Sequence, residues 1–271
     1  HRLLGINEQE FMRATNATFK LGIQFENWKQ IGEKYFHSFG VTGKQTVITD
    51  FIHFWLRGRK LEIAQEFGDY CLEYKAALMD RFSINNQTKI NYAFHLDAGR
   101  YASFLRARAE ARGVKRVEGK IAEVQQHPDS GDIAALKMES GQEIPGDLFL
   151  DCTGMRGLLI EQTLQTGFEE WEQWLPCDSA IAIQTESTAP AVPYTRSIAH
   201  HAGWRWKIPL QNRVGNGLVF SSRYMSDDEA INMLLASVEG KTLIEPRVIK
   251  FKTGKRKKTW NKNCIAVGLS S

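Results

Sequence analysis

Between Asp97 and Gly154 the chain runs through a helix, a strand, a small antiparallel insertion and a further strand, an order that few folds accommodate. Asp97 can cap a helix in which Tyr101, Phe104, Leu105 and Ala109 form an apolar stripe, and Gly113 ends it. Residues 114–118, 121–125, 133–138 and 148–152 then read as short strands, with Pro128-Asp129-Ser130-Gly131-Asp132 as a turn between two of them. The last strand ends in Asp151-Cys152-Thr153-Gly154, a tight turn at the carboxyl edge of a sheet. Nucleotide ligands bind at such edges in α/β proteins.

Before this block, residues 7–19 read as a helix carrying Phe11, Met12 and Ala14. Residues 20–28 alternate, with Leu21, Ile23 and Phe25 to one side, and read as a strand. Residues 40–91 are mixed, with a helix expected around 61–77. After the block the chain is β-rich, with strands expected at 180–185, 204–209, 217–222 and 264–267 and a helix at 227–237. Trp204 and Trp206 alternate, so both indoles face one side of an extended segment that Pro209 ends.

At 271 residues there is ample core for one large domain or two interleaved ones. A formal net charge of +4 is small for this length and does not suggest nucleic acid. The basic run Lys255-Arg256-Lys257-Lys258 reads as a solvated turn between two strands, since no interleaved aromatics accompany it. Cys71, Cys152, Cys177 and Cys264 have neither zinc nor redox spacing, so reduced thiols in a cytoplasmic protein are expected. No apolar run approaches the roughly 20 residues that span a bilayer, and no signal peptide is visible. The chain opens at His1 and closes one step after the apolar run 264–267, and is read as an interior segment of a longer protein.

Six stretches, taken in order, go further. They are Phe19-Lys20-Leu21-Gly22-Ile23-Gln24-Phe25-Glu26-Asn27-Trp28, the run from Tyr35 to Gly40, Tyr92-Ala93-Phe94-His95-Leu96-Asp97-Ala98, the run from Asp147 to Ile160, Trp204-Arg205-Trp206-Lys207-Ile208-Pro209, and the run from Asn263 to Ser271. Together they resemble the flavin-dependent tryptophan halogenases over essentially the whole chain. Two family features lie outside these residues. One is the Gly-rich dinucleotide loop, for which Gly215-Asn216-Gly217 is no substitute because it opens a strand rather than a helix. The other is a Pro-Leu-Glu-Ser-Thr stretch bearing a catalytic glutamate and the halide site.

The resemblance implies an α/β fold, an FAD-binding, aromatic-hydroxylase-like mixed sheet with an interleaved substrate-binding module. It implies a lysine-bearing substrate module at 1–95, an FAD module at 96–160 and a β-rich substrate-side module at 161–271. It implies that reduced FAD, oxygen and a halide ion yield hypohalous acid, which reaches a lysine beside the indole ring of tryptophan. That lysine aligns with Lys20, which by spacing alone is an ordinary lysine at a strand start; it would hold the oxidant by hydrogen bonding or react to a chloramine. By the same carry-over His37 and Phe39 sandwich substrate, Trp204 and Trp206 line the region between flavin and substrate, and Ile121, Thr153, Gly154 and Leu269 meet the cofactor. His95, just before a helix cap, reads as a structural histidine rather than a base. A separate flavin reductase is implied as partner, a homodimer is among the assemblies the family uses, and neither nucleic acid nor membrane is expected. Another indole, phenol or peptide-bound aromatic as substrate, or a non-catalytic flavoprotein, are the alternatives. The isolated segment is expected to be poorly soluble, because a missing first strand would leave a sheet edge open.

Overall fold

Asn16 stops the first helix and makes the first strand possible. It adopts the left-handed conformation (φ 49°) and its amide bonds to the Met12 carbonyl, so the helix expected over 7–19 closes at Thr15. The computed structural model describes residues 2–84 and 89–271. In chain order the elements begin with α1 (Glu8–Thr15), β1 (Thr18–Lys20), β2 (Gly22–Glu26), β3 (Lys34–Ser38), α2 (Phe51–Lys60), α3 (Leu72–Leu78), β4 (Ala93–His95) and α4 (Ala98–Glu110). Next come β5 (Ile121–Gln126), β6 (Ile133–Met138), β7 (Glu143–Pro145), β8 (Phe149–Asp151), a π-helical turn at Leu158–Thr163 and β9 (Phe168–Glu170). Then follow β10 (Ser179–Thr185), β11 (Thr195–His200), β12 (Gly203–Pro209), β13 (Val214–Phe220), α5 (Asp227–Ser237), β14 (Arg247–Lys250), β15 (Gly254–Arg256), β16 (Trp260–Asn261) and β17 (Cys264–Ala266). These elements form two units, His1–Ala111 with Ser179–Ile249, and Arg112–Asp178 with Lys250–Ser271.

The first unit is built on a seven-stranded sheet of order β14-β10-β13-β12-β11-β2-β3. β2 joins β11 in parallel, whereas β10–β13, β13–β12, β12–β11 and β2–β3 are antiparallel, so the sheet is mixed. One face carries Ile181, Ile183, Leu218 and Phe220, all fully buried against Ala230 and Leu234 of α5. A capping box starts that helix: the Ser226 hydroxyl accepts from the Glu229 amide, and the Glu229 carboxylate accepts from the Ser226 amide. Where β2 meets β11, the buried Glu26 carboxylate takes two bonds from Arg196, Nε at 2.5 Å and Nη2 at 2.9 Å. Burial raises the Glu26 pKa, but the hydrogen bonds from Arg196 and Gln24 and the nearby cations outweigh it and hold it low. The other face carries Phe25, Trp204 and Trp206. Gly217 lies directly across from Trp206, and a Cβ there would stand 1.8 Å from the indole.

The strand expected over 20–28 is in fact two. Leu21 separates β1, which pairs with β4, from β2, which pairs with β3 and β11. Gly22 permits the crossing, since a Cβ there would meet the His37 carbonyl at 2.3 Å. α1 and α4 close over a smaller core in which Phe11 meets Phe94 and Tyr101 edge-on at 5.1 and 5.6 Å. The helix expected near 61–77 is displaced: α2 ends at Lys60, Glu62 is left-handed (φ 59°), and α3 begins at Leu72. α2 buries no residue fully; Phe51 and Trp55, one turn apart, pack on Phe67 and Tyr70 beyond the helix.

The second unit holds an antiparallel meander β5-β6-β7, a sheet β16-β17-β8 with β17 and β8 parallel, and the pair β15–β9. Ile133, Phe149, Leu159, Ile160, Cys264 and Ala266 form its core. Asn263 spans both sheets, its side chain donating to the Ile133 carbonyl and accepting from the Ile133 amide. Two expectations fail here. Residues 114–118 form no strand; every one is exposed and β5 is the edge of its sheet. Arg256 is not in a solvated turn: it is buried, donates to Glu161 Oε2 at 2.8 Å and to the Ser270 carbonyl at 3.0 Å, and lies over the Phe168 ring.

Gly217→Ala should force Trp206 off the sheet and cost about 1–3 kcal/mol of stability, as overpacking does. Urea unfolding of the complete gene product, with tryptophan fluorescence as the probe, measures both effects.

Candidate active site

Lys20 ends β1 and is half-buried, opposite Ala93 of β4. Its Nζ lies 5.5 Å from the centre of the Phe39 ring, within cation–π range. Burial pushes the amine pKa down. Phe39 stands just beyond β3 and is tied to the lysine strand by its amide, which donates to the Leu21 carbonyl at 2.9 Å. The Leu21 amide in turn donates to the Pro193 carbonyl at 2.7 Å. Behind Phe39 the buried Glu73 accepts from the Asn91 amide at 2.7 Å, and a Cβ on Gly40 would stand 1.9 Å from its carboxylate. Lys20 and Phe39 are therefore brought together, while His37, paired with Ile23, is exposed.

His95 lies beneath this strand, opposite Thr18. It is buried, with Nδ1 3.1 Å from Thr18 Oγ1 and Nε2 2.9 Å from Thr195 Oγ1. Burial, with the Lys20 charge as the smaller cause, pushes its pKa down to about 3. Both ring nitrogens are engaged by threonine hydroxyls, and burial favours the neutral ring.

Trp204 and Trp206 share one sheet face, their rings 5.8 Å apart, and sequence reasoning missed how far that aromatic row extends. Trp28 lies 6.4 Å from Trp204 and donates its indole N–H to the Ser197 carbonyl; Phe25 lies 5.6 Å from Trp28 and stacks on Tyr35 at 4.9 Å. The row crosses β3, β2 and β12, so no local pattern could reveal it.

In the second unit, Thr153, Gly154 and Leu269 meet at the carboxyl ends of the parallel strands β8 and β17. Asp151 organises that edge. Its buried carboxylate accepts from the amides of Thr153, Leu159 and Ile160 at 2.9 Å each and from the Thr153 hydroxyl at 2.6 Å; the Ser270 hydroxyl shares its one proton between this carboxylate at 3.3 Å and the Gly154 carbonyl at 3.0 Å. Burial raises its pKa, but these bonds outweigh it and the net shift is downward. Gly154 and Gly268 are left-handed (φ 73° and 69°), and no atom lies within 4 Å of where a Cβ would stand on either. Open backbone beside the ends of parallel strands suits a dinucleotide phosphate or ribityl chain. Ile121 starts β5, in a different sheet of the same unit.

The profile of the tryptophan halogenase family matches residues 1–271. The chain belongs to that family. Tryptophan 6-halogenase ThaL of Streptomyces albogriseolus is 34% identical over 99% of the chain and 54% of the relative's length. Among solved structures, Xcc4156, a flavin-dependent halogenase from Xanthomonas campestris, is 52% identical with a TM-score of 0.98, covering 100% of this chain and 55% of that one. BrvH, a flavin-dependent halogenase from Brevundimonas sp. BAL3, is 43% identical with a TM-score of 0.94, covering 98% and 56%. The chain thus spans about half the length of the halogenases it matches.

Asp151 carries a pH signature. Its folded carboxyl titrates below the unfolded value of about 3.9, so its stabilising contribution is complete above that pH and is lost as the pH falls through the folded value. Asp151→Asn should show a shallower acid limb of stability below about pH 4. Asp151→Ala, which strands three amides, should cost about 3 kcal/mol or more at neutral pH, both read by urea unfolding.

Proposed function

We propose that this chain belongs to an FAD-dependent halogenase that uses oxygen and chloride or bromide to halogenate an indole ring. The observation that supports it most is the partly buried Lys20 amine, its pKa lowered, beside the Phe39 ring. Reduced FAD, when bound, would supply the two electrons that activate oxygen, so that one oxygen atom leaves as water and the other oxidises halide to hypohalous acid. The remaining work falls to the chain's own side chains. Burial leaves more of the Lys20 amine neutral, and that amine can hold hypohalous acid by a hydrogen bond or take its halogen with release of water. The Phe39 face and His37 are proposed to seat the substrate ring. Trp204 and Trp206 are proposed to fill the space between substrate and flavin. Thr153, Gly154, Leu269 and Ile121 are proposed to hold FAD, with open backbone at Gly154 and Gly268 as the supporting feature.

Tryptophan or a related indole is the proposed substrate. ThaL is a tryptophan halogenase by name, whereas the more similar Xcc4156 is described only as a flavin-dependent halogenase. A separate flavin reductase, cytoplasmic location and a homodimer complete the proposal. No helix among the described residues is long and apolar enough to cross a membrane.

The test uses the complete gene product with tryptophan, a flavin reductase, FAD, NADH, oxygen and chloride or bromide, and mass spectrometry of the products. Halogenated tryptophan from the wild type, and none from Lys20→Ala with flavin oxidation unchanged, is the expected result. Flavin turnover without product calls for a panel of indoles and phenols. A protein that binds no FAD would sink the enzyme reading.

A further inference from the structure

The hydrogens around His95 can be assigned by counting. Thr18 has one hydroxyl proton, and it goes to the Pro209 carbonyl at 2.7 Å, an atom that can only accept. Toward His95 Nδ1, then, Thr18 Oγ1 is an acceptor, and Nδ1 carries the ring proton. A neutral ring protonated at Nδ1 has a bare Nε2, which accepts the Thr195 hydroxyl proton at 2.9 Å. The relay has one direction: Thr195 to His95, His95 to Thr18, Thr18 to Pro209. It links the start of β11, β4, β1 and the end of β12. Two residues before Thr195, the Pro193 carbonyl takes the Leu21 amide, so the lysine strand is held to the sheet on both sides of Lys20. A second proton on the ring would turn Nε2 into a donor facing Thr195 and set a cation near the Lys20 charge. Burial and that charge keep the ring neutral.

We propose that His95 is a positioning residue for Lys20: as the neutral Nδ1–H tautomer between Thr195 and Thr18, it fixes where the lysine strand stands against the sheet and keeps a second cation away from the amine. The inference rests on the reading of Lys20 given above. It assigns a task to two threonines that no local sequence pattern singles out.

The test measures halogenated product per flavin oxidised in the complete gene product. Thr195→Val removes the donor to Nε2, and His95→Gln breaks the relay. Each should lower that ratio about tenfold or more, the scale on which a misplaced reacting group loses rate, with FAD affinity and flavin oxidation unchanged. Thr195→Ser keeps the hydroxyl and should restore the ratio to within about twofold of wild type. Wild-type coupling in Thr195→Val and His95→Gln, with Lys20→Ala inactive, overturns the positioning role alone. Product from Lys20→Ala overturns the Lys20 reading and the positioning role together. If the variants do not fold, nitrogen NMR of the wild-type protein labelled in histidine decides, with His95 assigned through contacts to the methyl groups of Thr18 and Thr195. A proton on Nδ1 that stays put, with no titration between about pH 5 and pH 8, supports the proposal. A proton on Nε2, or titration in that range, overturns it.

Discussion

The first unit depends on what happens at Leu21. One residue carries the chain out of a two-stranded ribbon and into a seven-stranded sheet, and both of its backbone groups are spent doing so, the amide on Pro193 and the carbonyl on Phe39. A buried amide left without a partner costs about 1–3 kcal/mol, so the crossing point is closely fixed. Lys20 is the last residue before it and Phe39 is one of its two anchors. Amine and ring meet because the same backbone atoms that satisfy the crossing also place them.

The second unit solves a similar problem with a carboxylate. Asp151 is buried at the end of β8, and gathering three amides and two hydroxyls is what makes that burial tolerable. Because those donors come from the turn after β8, from the π-helical turn and from Ser270, one side chain shapes both loops at the edge. Arg256 acts beside it, reaching Glu161 in the π-helical turn and the carbonyl of the same Ser270.

Elements with strong local signals were legible in the sequence. The helix at Asp227–Ser237 and the strand Ile133–Met138 sit where the residues say, because a polar cap and a one-sided pattern mark them. β3 and β11 were not legible: Lys34–Ser38 and Thr195–His200 lack a clean alternation and are strands because neighbours from elsewhere in the chain pair with them. The helix at Phe51–Lys60 was not legible because the partners of its inward face, Phe67 and Tyr70 against Phe51 and Trp55, come from a later, irregular stretch. In the candidate site, Lys20 was found through family likeness rather than spacing. Thr18 and Thr195, 177 positions apart, acquire meaning only when His95 stands between them. Arg256 looked like part of a charged surface run, yet alternation along β15 turned it inward while Lys255 stayed exposed.

The ion pair between Glu26 and Arg196 joins residues 170 positions apart in the chain, across the parallel join of β2 and β11. Strands so distant pair slowly, because the intervening chain must be closed before any contact rewards it. A slip of one residue between β2 and β11 would turn Glu26 to the opposite face from Arg196 and part the two, so the pair also rejects wrong registers. On a ribosome this sets an order of events. β2 and β3 can form a hairpin early, but the hairpin cannot take its place in the sheet until residues beyond 200 have emerged. Until then its free edge is open to other chains, and early closure by any route would shorten that exposure.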